Sequence, residues 1–373
     1  MKLSNRVPEL QSQVIAFLRF PLIVLIVFFH GSASTIQIGD IVYEANDTIM
    51  PLFHWCTAIF KGPFAFRNQC FFFIAGFLFF QNVKIFDKLT FKNKIQNRVR
   101  TLLVPYLFWN AAVIAFYLII SMIPQISGLM NTEIQWHNIL RYFWNQPLEF
   151  RSGYSLNEIT GRFPVNYQFW FVRDLMVAVI LSPIIYFFCK KIKVFGIILL
   201  GILWYFDWLF KITGLHPMCI FFFTTGAYFG INKRNLIEDF GKIRNLSFVL
   251  FPAAAIADLL TMKYEFNHYV HKAEIIIAII FCFNFVAYLF EKGAIKPTKF
   301  LASASFFLFA THAPFLVNSF RKLSNMIVRP ENDLAFTALF FLNVILTVFS
   351  ALGLYYILRR FLPKLTGIIT GGR

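Results

Sequence analysis

The stretch Val14-Ile-Ala-Phe-Leu-Arg19-Phe-Pro21-Leu22-Ile-Val-Leu-Ile-Val-Phe-Phe-His30 decides the fold class of this chain. It is apolar except for Arg19 and the closing His30. Its length approaches the roughly 20 residues an α-helix needs to cross a bilayer core. Runs of the same kind fall at 14–33, 63–82, 102–123, 168–189, 194–211, 216–231, 246–262, 273–290, 300–319 and 335–358. The expectation is an all-α polytopic membrane protein of about ten transmembrane helices, with residues 1–373 forming one domain. The sixth and seventh runs have the least definite ends, and Phe221–Phe223 could belong to a broken helix.

Composition points the same way. The 373 residues are 58% hydrophobic and 19% aromatic, and only 14% are charged, against about 25% in soluble domains. Mean hydropathy is +0.64. The net charge of +17 could signal nucleic acid, but no water-soluble basic domain is visible to carry it. Instead, 22 of the 35 Lys and Arg residues fall in alternate loops and the two ends, with roughly half as many in the opposite set. The positive-inside bias then places both termini in the cytoplasm. A cytoplasmic (inner) membrane location follows. The N-terminus does not read as a cleaved signal, because Arg19 interrupts the apolar run and no small-residue cleavage site precedes a soluble domain.

Cys56, Cys70, Cys189, Cys219 and Cys282 form no CxxC pair and lie mostly in apolar runs, so neither a disulfide framework nor a metal site is expected. Two outer segments are long, 34–62 and 124–167. The second mixes Trp136, His137, Trp144, Tyr154 and Tyr167 with polar residues. Such rings suit stacking on a carbohydrate and equally suit the aromatic belt of a membrane interface.

Arg19 and His30 are eleven positions apart. At 100° per residue they return to within about 20° of one face, about 16 Å apart along the axis. A charge inside a span is costly and usually faces the protein interior or a wet cavity. On spacing alone a second reading stands beside this one, with Arg19 snorkelling to headgroups and His30 at the outer interface.

The Arg19–x10–His30 arrangement resembles the signature of the acyltransferase family 3 membrane proteins. Phe71-Phe-Phe-Ile-Ala-Gly-Phe-Leu-Phe resembles the family's second-helix stretch, with Ala75 where Ser is usual. Arg98-Val-Arg-Thr-Leu-Leu-Val-Pro-Tyr-Leu-Phe-Trp resembles its basic lead-in to helix three. Phe169-Trp-Phe-Val-Arg-Asp-Leu and Ala310-Thr-His-Ala-Pro resemble two later patches.

The resemblance implies transfer of an acyl group, acetyl being commonest, from acyl-CoA to a hydroxyl of a surface glycan or related acceptor, without a metal. His30 would be the general base, and Arg19, Arg98 and Arg100 would hold the donor's phosphates. Arg67, Trp170, Arg173, Asp174 and His312 are candidates for contact with the acceptor. Structural roles are open for each: Arg98 and Arg100 as plain positive-inside charges, Arg173 and Asp174 as interface ions. The expected partners are membrane lipids, coenzyme A and the acceptor, with no nucleic acid. A glycan or lipid transporter is the alternative from another class, since intramembrane charges fit it too. It predicts inverted repeats and matching broken helices, which the sequence does not display.

Overall fold

The computed structural model describes residues 6–32, 35–38, 41–44, 48–122, 139–145 and 163–372. Its helices are α1 (Arg6–Gly31), α2 (Pro51–Lys61), α3 (Arg67–Phe80), α4 (Lys88–Arg98), α5 (Val104–Ser121) and α6 (Ile139–Tyr142) in the first part. There follow α7 (Trp170–Ile180), α8 (Ser182–Lys191), α9 (Lys193–Tyr205), α10 (Pro217–Ile231), α11 (Leu236–Gly241) and α12 (Arg244–Thr261). The chain ends with α13 (Asn267–Glu291), α14 (Lys299–Thr311), α15 (Val317–Val328), α16 (Asp333–Phe361) and α17 (Pro363–Thr370). A short antiparallel hairpin, β1 (Thr35–Ile38) with β2 (Ile41–Glu44), is an addition to the all-α expectation, with Thr35 opposite Glu44.

Among the described residues, six stretches are long and apolar enough to cross a membrane: Pro8–Gly31, Lys88–Ile119, Arg244–Thr261, Asn267–Glu291, Lys299–Val328 and Asp333–Phe361. The bent pair α7–α8 makes a seventh, and α3, α9 and α10 are apolar but shorter. Large side chains such as Ile184, Phe187, Phe195, Leu334 and Phe349 are exposed on the outside of the bundle, as lipid-facing helices require. The fold is that of a polytopic all-α membrane protein.

Several expected spans differ in detail, for local reasons. The run 168–189 is bent by 63° at Leu181. Pro183, just inside α8, has no N–H to continue the ladder. The run 194–211 stops helically at Tyr205, because Asp207 turns into the left-handed region at φ 58°. The run 300–319 is interrupted by a wide turn at His312–Leu316, where Ala313 is extended ahead of the cis Ala313–Pro314 bond. Phe221–Phe223, in contrast, lies within the continuous helix α10.

Helix α1 packs against α2, α3, α13, α14 and α16; its Gln11 is buried, Arg19 and His30 are half-buried, and Glu9 and Ser12 are exposed. Pro21 lies inside it without ending it. Beside it, α3 and α10 approach closely through glycine. A Cβ on Gly76 would stand 2.0 Å from the Phe223 carbonyl oxygen, and one on Gly226 would stand 1.9 Å from that of Phe73. Small residues permit this backbone contact, which is how helices gain dispersion energy where lipid offers no hydrophobic contrast.

Candidate active site

Arg19 and Arg98 line one cavity of about 200 Å³. Arg19 comes from mid-α1. Arg98 ends α4, a polar helix that runs through a wide turn at Val99–Leu103 into α5. The walls between them are apolar: Ile23 and Ile26 of α1, Phe71, Ile74 and Ala75 of α3, and Phe306 and Phe309 of α14. Asn68 and Ser305 add two neutral polar groups. The cavity therefore joins a cationic region to an apolar sleeve. Ala75 supplies no hydroxyl to it.

Arg19, Ile23, Ile26 and His30 recur every three to four residues and form one stripe of α1. The first three line the cavity, and His30 lies one turn beyond Ile26. His30 is half-buried, and its ring packs against two others. It stands 5.2 Å, centre to centre, from the ring of Tyr167 and equally far from that of His312. The Tyr167 hydroxyl is 3.5 Å from His30 Nδ1.

The break in the fourteenth helix explains where His312 sits. An unbroken helix would satisfy the Phe309 and Ala310 carbonyls from residues 313 and 314. Pro314 has no N–H, and Ala313 is extended. Side chains replace the missing donors. His312 Nδ1 lies 2.7 Å from the Phe309 oxygen and donates to it, and Gln168 Nε2 donates to the Ala310 oxygen at 3.3 Å and to that of Ala313. His312 is fully buried, and its Nε2 has no hydrogen-bond partner among the described residues. With the proton on Nδ1, Nε2 is the acceptor nitrogen.

This α1 stripe, with Arg98 on the cavity at its Arg19 end and His312 beside its His30 end, lies within a single family profile: that of the acyltransferase domain matches positions 14–360. The chain belongs to acyltransferase family 3. No curated protein and no solved structure matches it. Membership carries acyl transfer as the general activity, and the bundle makes it a membrane acyltransferase. Among the described residues two helix breaks occur, at Leu181 and at 312–316, so broken helices by themselves do not mark a transporter here. Family membership, not unbroken helices, is what separates the enzyme from a transporter.

The other family 3 candidates are distributed less evenly. Arg100 is exposed and does not line the cavity. Arg67 is buried, donates through Nη1 to the carbonyls of Phe60 and Phe64, and stacks 4.2 Å over the ring of Phe29, the neighbour of His30. Arg173 and Asp174 do pair, although adjacent helical residues point about 100° apart. Arg173 Nε and Nη2 reach Asp174 Oδ1 at 3.1 and 3.0 Å. Arg173 Nη1 also donates to the Trp144 carbonyl at 2.6 Å, and the His216 N–H donates to Asp174 Oδ2 at 2.8 Å. The pair thus ties the end of α6 and the start of α10 to α7. Trp170 joins a cluster with Phe72, Phe163 and His216.

Among the ringed residues of the second long segment, Trp136, His137 and Tyr154 lie outside the described residues. Among the described residues of that segment, Tyr167 reaches His30. Sequence reasoning did not single out Gln168, nor Asn166, whose buried side-chain amide has no partner among the described residues. The available signal was three polar residues, Asn166-Tyr-Gln168, directly ahead of a span.

Proposed function

We propose that the chain moves an acyl group, by family expectation acetyl, from acyl-CoA to a hydroxyl of a glycan or related acceptor, with His30 as general base. The observation that carries this reading is the α1 stripe: Arg19 lines a cavity shared with Arg98, and His30 continues the same face beside Tyr167 and His312. Arginine suits phosphate recognition, so the cationic end would take the nucleotide part of the donor. The apolar sleeve suits the slender acyl-carrying arm.

The chemistry follows from these groups. An acceptor hydroxyl is a weak nucleophile at neutral pH. A ring nitrogen of His30 takes its proton as the oxygen bonds to the thioester carbonyl carbon. The C–S bond then breaks, and coenzyme A leaves as a thiol with a proton returned from the imidazolium. His312 Nε2 would orient the acceptor or relay that proton.

The topology we propose has ten crossings of the cytoplasmic membrane and both ends in the cytoplasm. It counts α3, α9, α10 and the bent α7–α8 pair as spans, and it follows the Lys and Arg distribution. The donor then enters from the Arg98 side and the acceptor from the His30 side. The test is acyl transfer from radiolabelled acetyl-CoA by purified protein in detergent. Turnover by the parent chain and its loss in His30→Ala, with equal folded yield, support the reading. Equal turnover by both removes His30 as base.

A further inference from the structure

Away from the α1 stripe, three ligand-bearing side chains converge where α12 meets α13. Asp258 lies in the last turn of α12, and His271 and Glu274 lie near the start of α13. The two α13 residues are three apart, so they share a helix face. One ligand atom from each of the three lies within 4.8 Å of the others. His271 Nδ1 and Asp258 Oδ2 are 3.0 Å apart.

Two further observations show a built site. Glu274 is fully buried, and neither of its carboxylate oxygens has a hydrogen-bond partner among the described residues. An isolated buried carboxylate is strongly unfavourable unless a cation or a proton neutralises it. Around it, the Asp258 carboxylate is held in place. Asn267 Nδ2 donates to Asp258 Oδ1 and to its backbone oxygen, both at 2.9 Å, leaving Oδ2 directed at the cluster. Gly62 meets that same oxygen, since a Cβ there would stand 2.7 Å from Oδ2. Outer support that fixes a ligand and a small residue that leaves it room are what a coordination site needs.

We propose that Asp258, His271 and Glu274 bind one divalent cation of the zinc class. One imidazole and two carboxylates form a mixed nitrogen and oxygen set that suits zinc over magnesium or calcium, which prefer all-oxygen shells. Ligand atoms around a tetrahedral zinc sit at about 2.0–2.1 Å from it, hence about 3.3 Å from each other, so rotamer adjustments close the shell. Two carboxylates balance the dication. Three protein ligands leave a fourth position for water. The cation would clamp α12 to α13 and to the turn carrying Gly62, which leads into Arg67 and α3. The sequence signal is His271-x-x-Glu274 with an acid from the preceding helix, and it is invisible to a search for cysteine pairs.

The test uses the full-length protein without a polyhistidine tag, stripped with chelator, equilibrated with zinc chloride and desalted. Metal analysis is expected to find about one zinc per parent chain, unaffected by excess magnesium. Glu274→Gln should retain less than a tenth of that amount, while Glu331→Gln, at an exposed position, should match the parent. The zinc X-ray absorption edge of the parent should report nitrogen and oxygen neighbours. No zinc on the parent chain, equal uptake by Glu274→Gln, or a sulfur shell from the free cysteines would overturn the proposal. If Glu274→Gln does not fold, the parent's stoichiometry and absorption spectrum alone decide.

Discussion

The rings of His30 and His312 stand 5.2 Å apart, centre to centre and tilted by 43°, although the residues come from opposite ends of the chain. His312 spends its Nδ1 on the Phe309 carbonyl, which leaves Nε2 as an acceptor inside the bundle. Two imidazoles so placed can divide the work of removing and returning a proton.

His30→Ala is expected to lower acyl transfer by about 10²–10⁴, the usual contribution of a positioned base. His312→Asn separates structure from chemistry at the partner. An asparagine amide can still donate to the Phe309 oxygen but offers nothing at the Nε2 position. Folded yield near that of the parent with turnover down at least tenfold is the expected result. Unchanged turnover would mean that His312 only satisfies the helix break.

The cavity separates the three arginines proposed to hold the donor. Arg19 and Arg98 line it and Arg100 does not. Arg19→Ala and Arg98→Ala should raise the KM for acyl-CoA more than they lower kcat, each by about tenfold, as expected for loss of a charged hydrogen bond of about 1.5–3 kcal/mol. Arg100→Ala should change KM less than twofold. Steady-state kinetics in one detergent would check all three, and an equal effect of Arg100→Ala would remove the distinction.

The closeness of α3 and α10 is a stability claim. Gly76→Val puts side-chain atoms against the Phe223 carbonyl and should lower stability by about 1–3 kcal/mol or more. Gly353, with nothing within 4 Å of a built Cβ, should accept alanine with little change. Thermal melts of the two variants against the parent give the comparison.

Asp174 is 1% exposed and neutralises Arg173, which is 3% exposed. Asp174→Ala leaves that guanidinium buried beside Trp144 without its counter-ion, for an expected loss of about 3–5 kcal/mol. Changing both residues to a matched apolar pair should recover much of it. A single variant as stable as the parent would show that the pair contributes little.

The sequence made the membrane class legible because lipid-facing helices need long apolar runs, and those runs survive any detail of packing. It made the Arg19–His30 face legible because helical angle depends only on spacing. The breaks were harder. Pro183 and Pro314 stand in the sequence, yet whether proline bends or breaks a span depends on which neighbours satisfy the freed carbonyls. Here one of those neighbours is Gln168, far away in sequence. The Arg173–Asp174 pair was also hidden. It forms because Trp144 and His216 close around it from other segments. Asp258, His271 and Glu274 gather for a similar reason, across the α12–α13 turn.

The most direct measurement is a structure of the protein with coenzyme A bound. The account predicts phosphates against Arg19 and Arg98 and a sulfur that has passed Ile26 and Phe309 to lie about 3–4 Å from the space between His30 and His312. Phosphates bound elsewhere, or a sulfur directed away from both imidazoles, would contradict it.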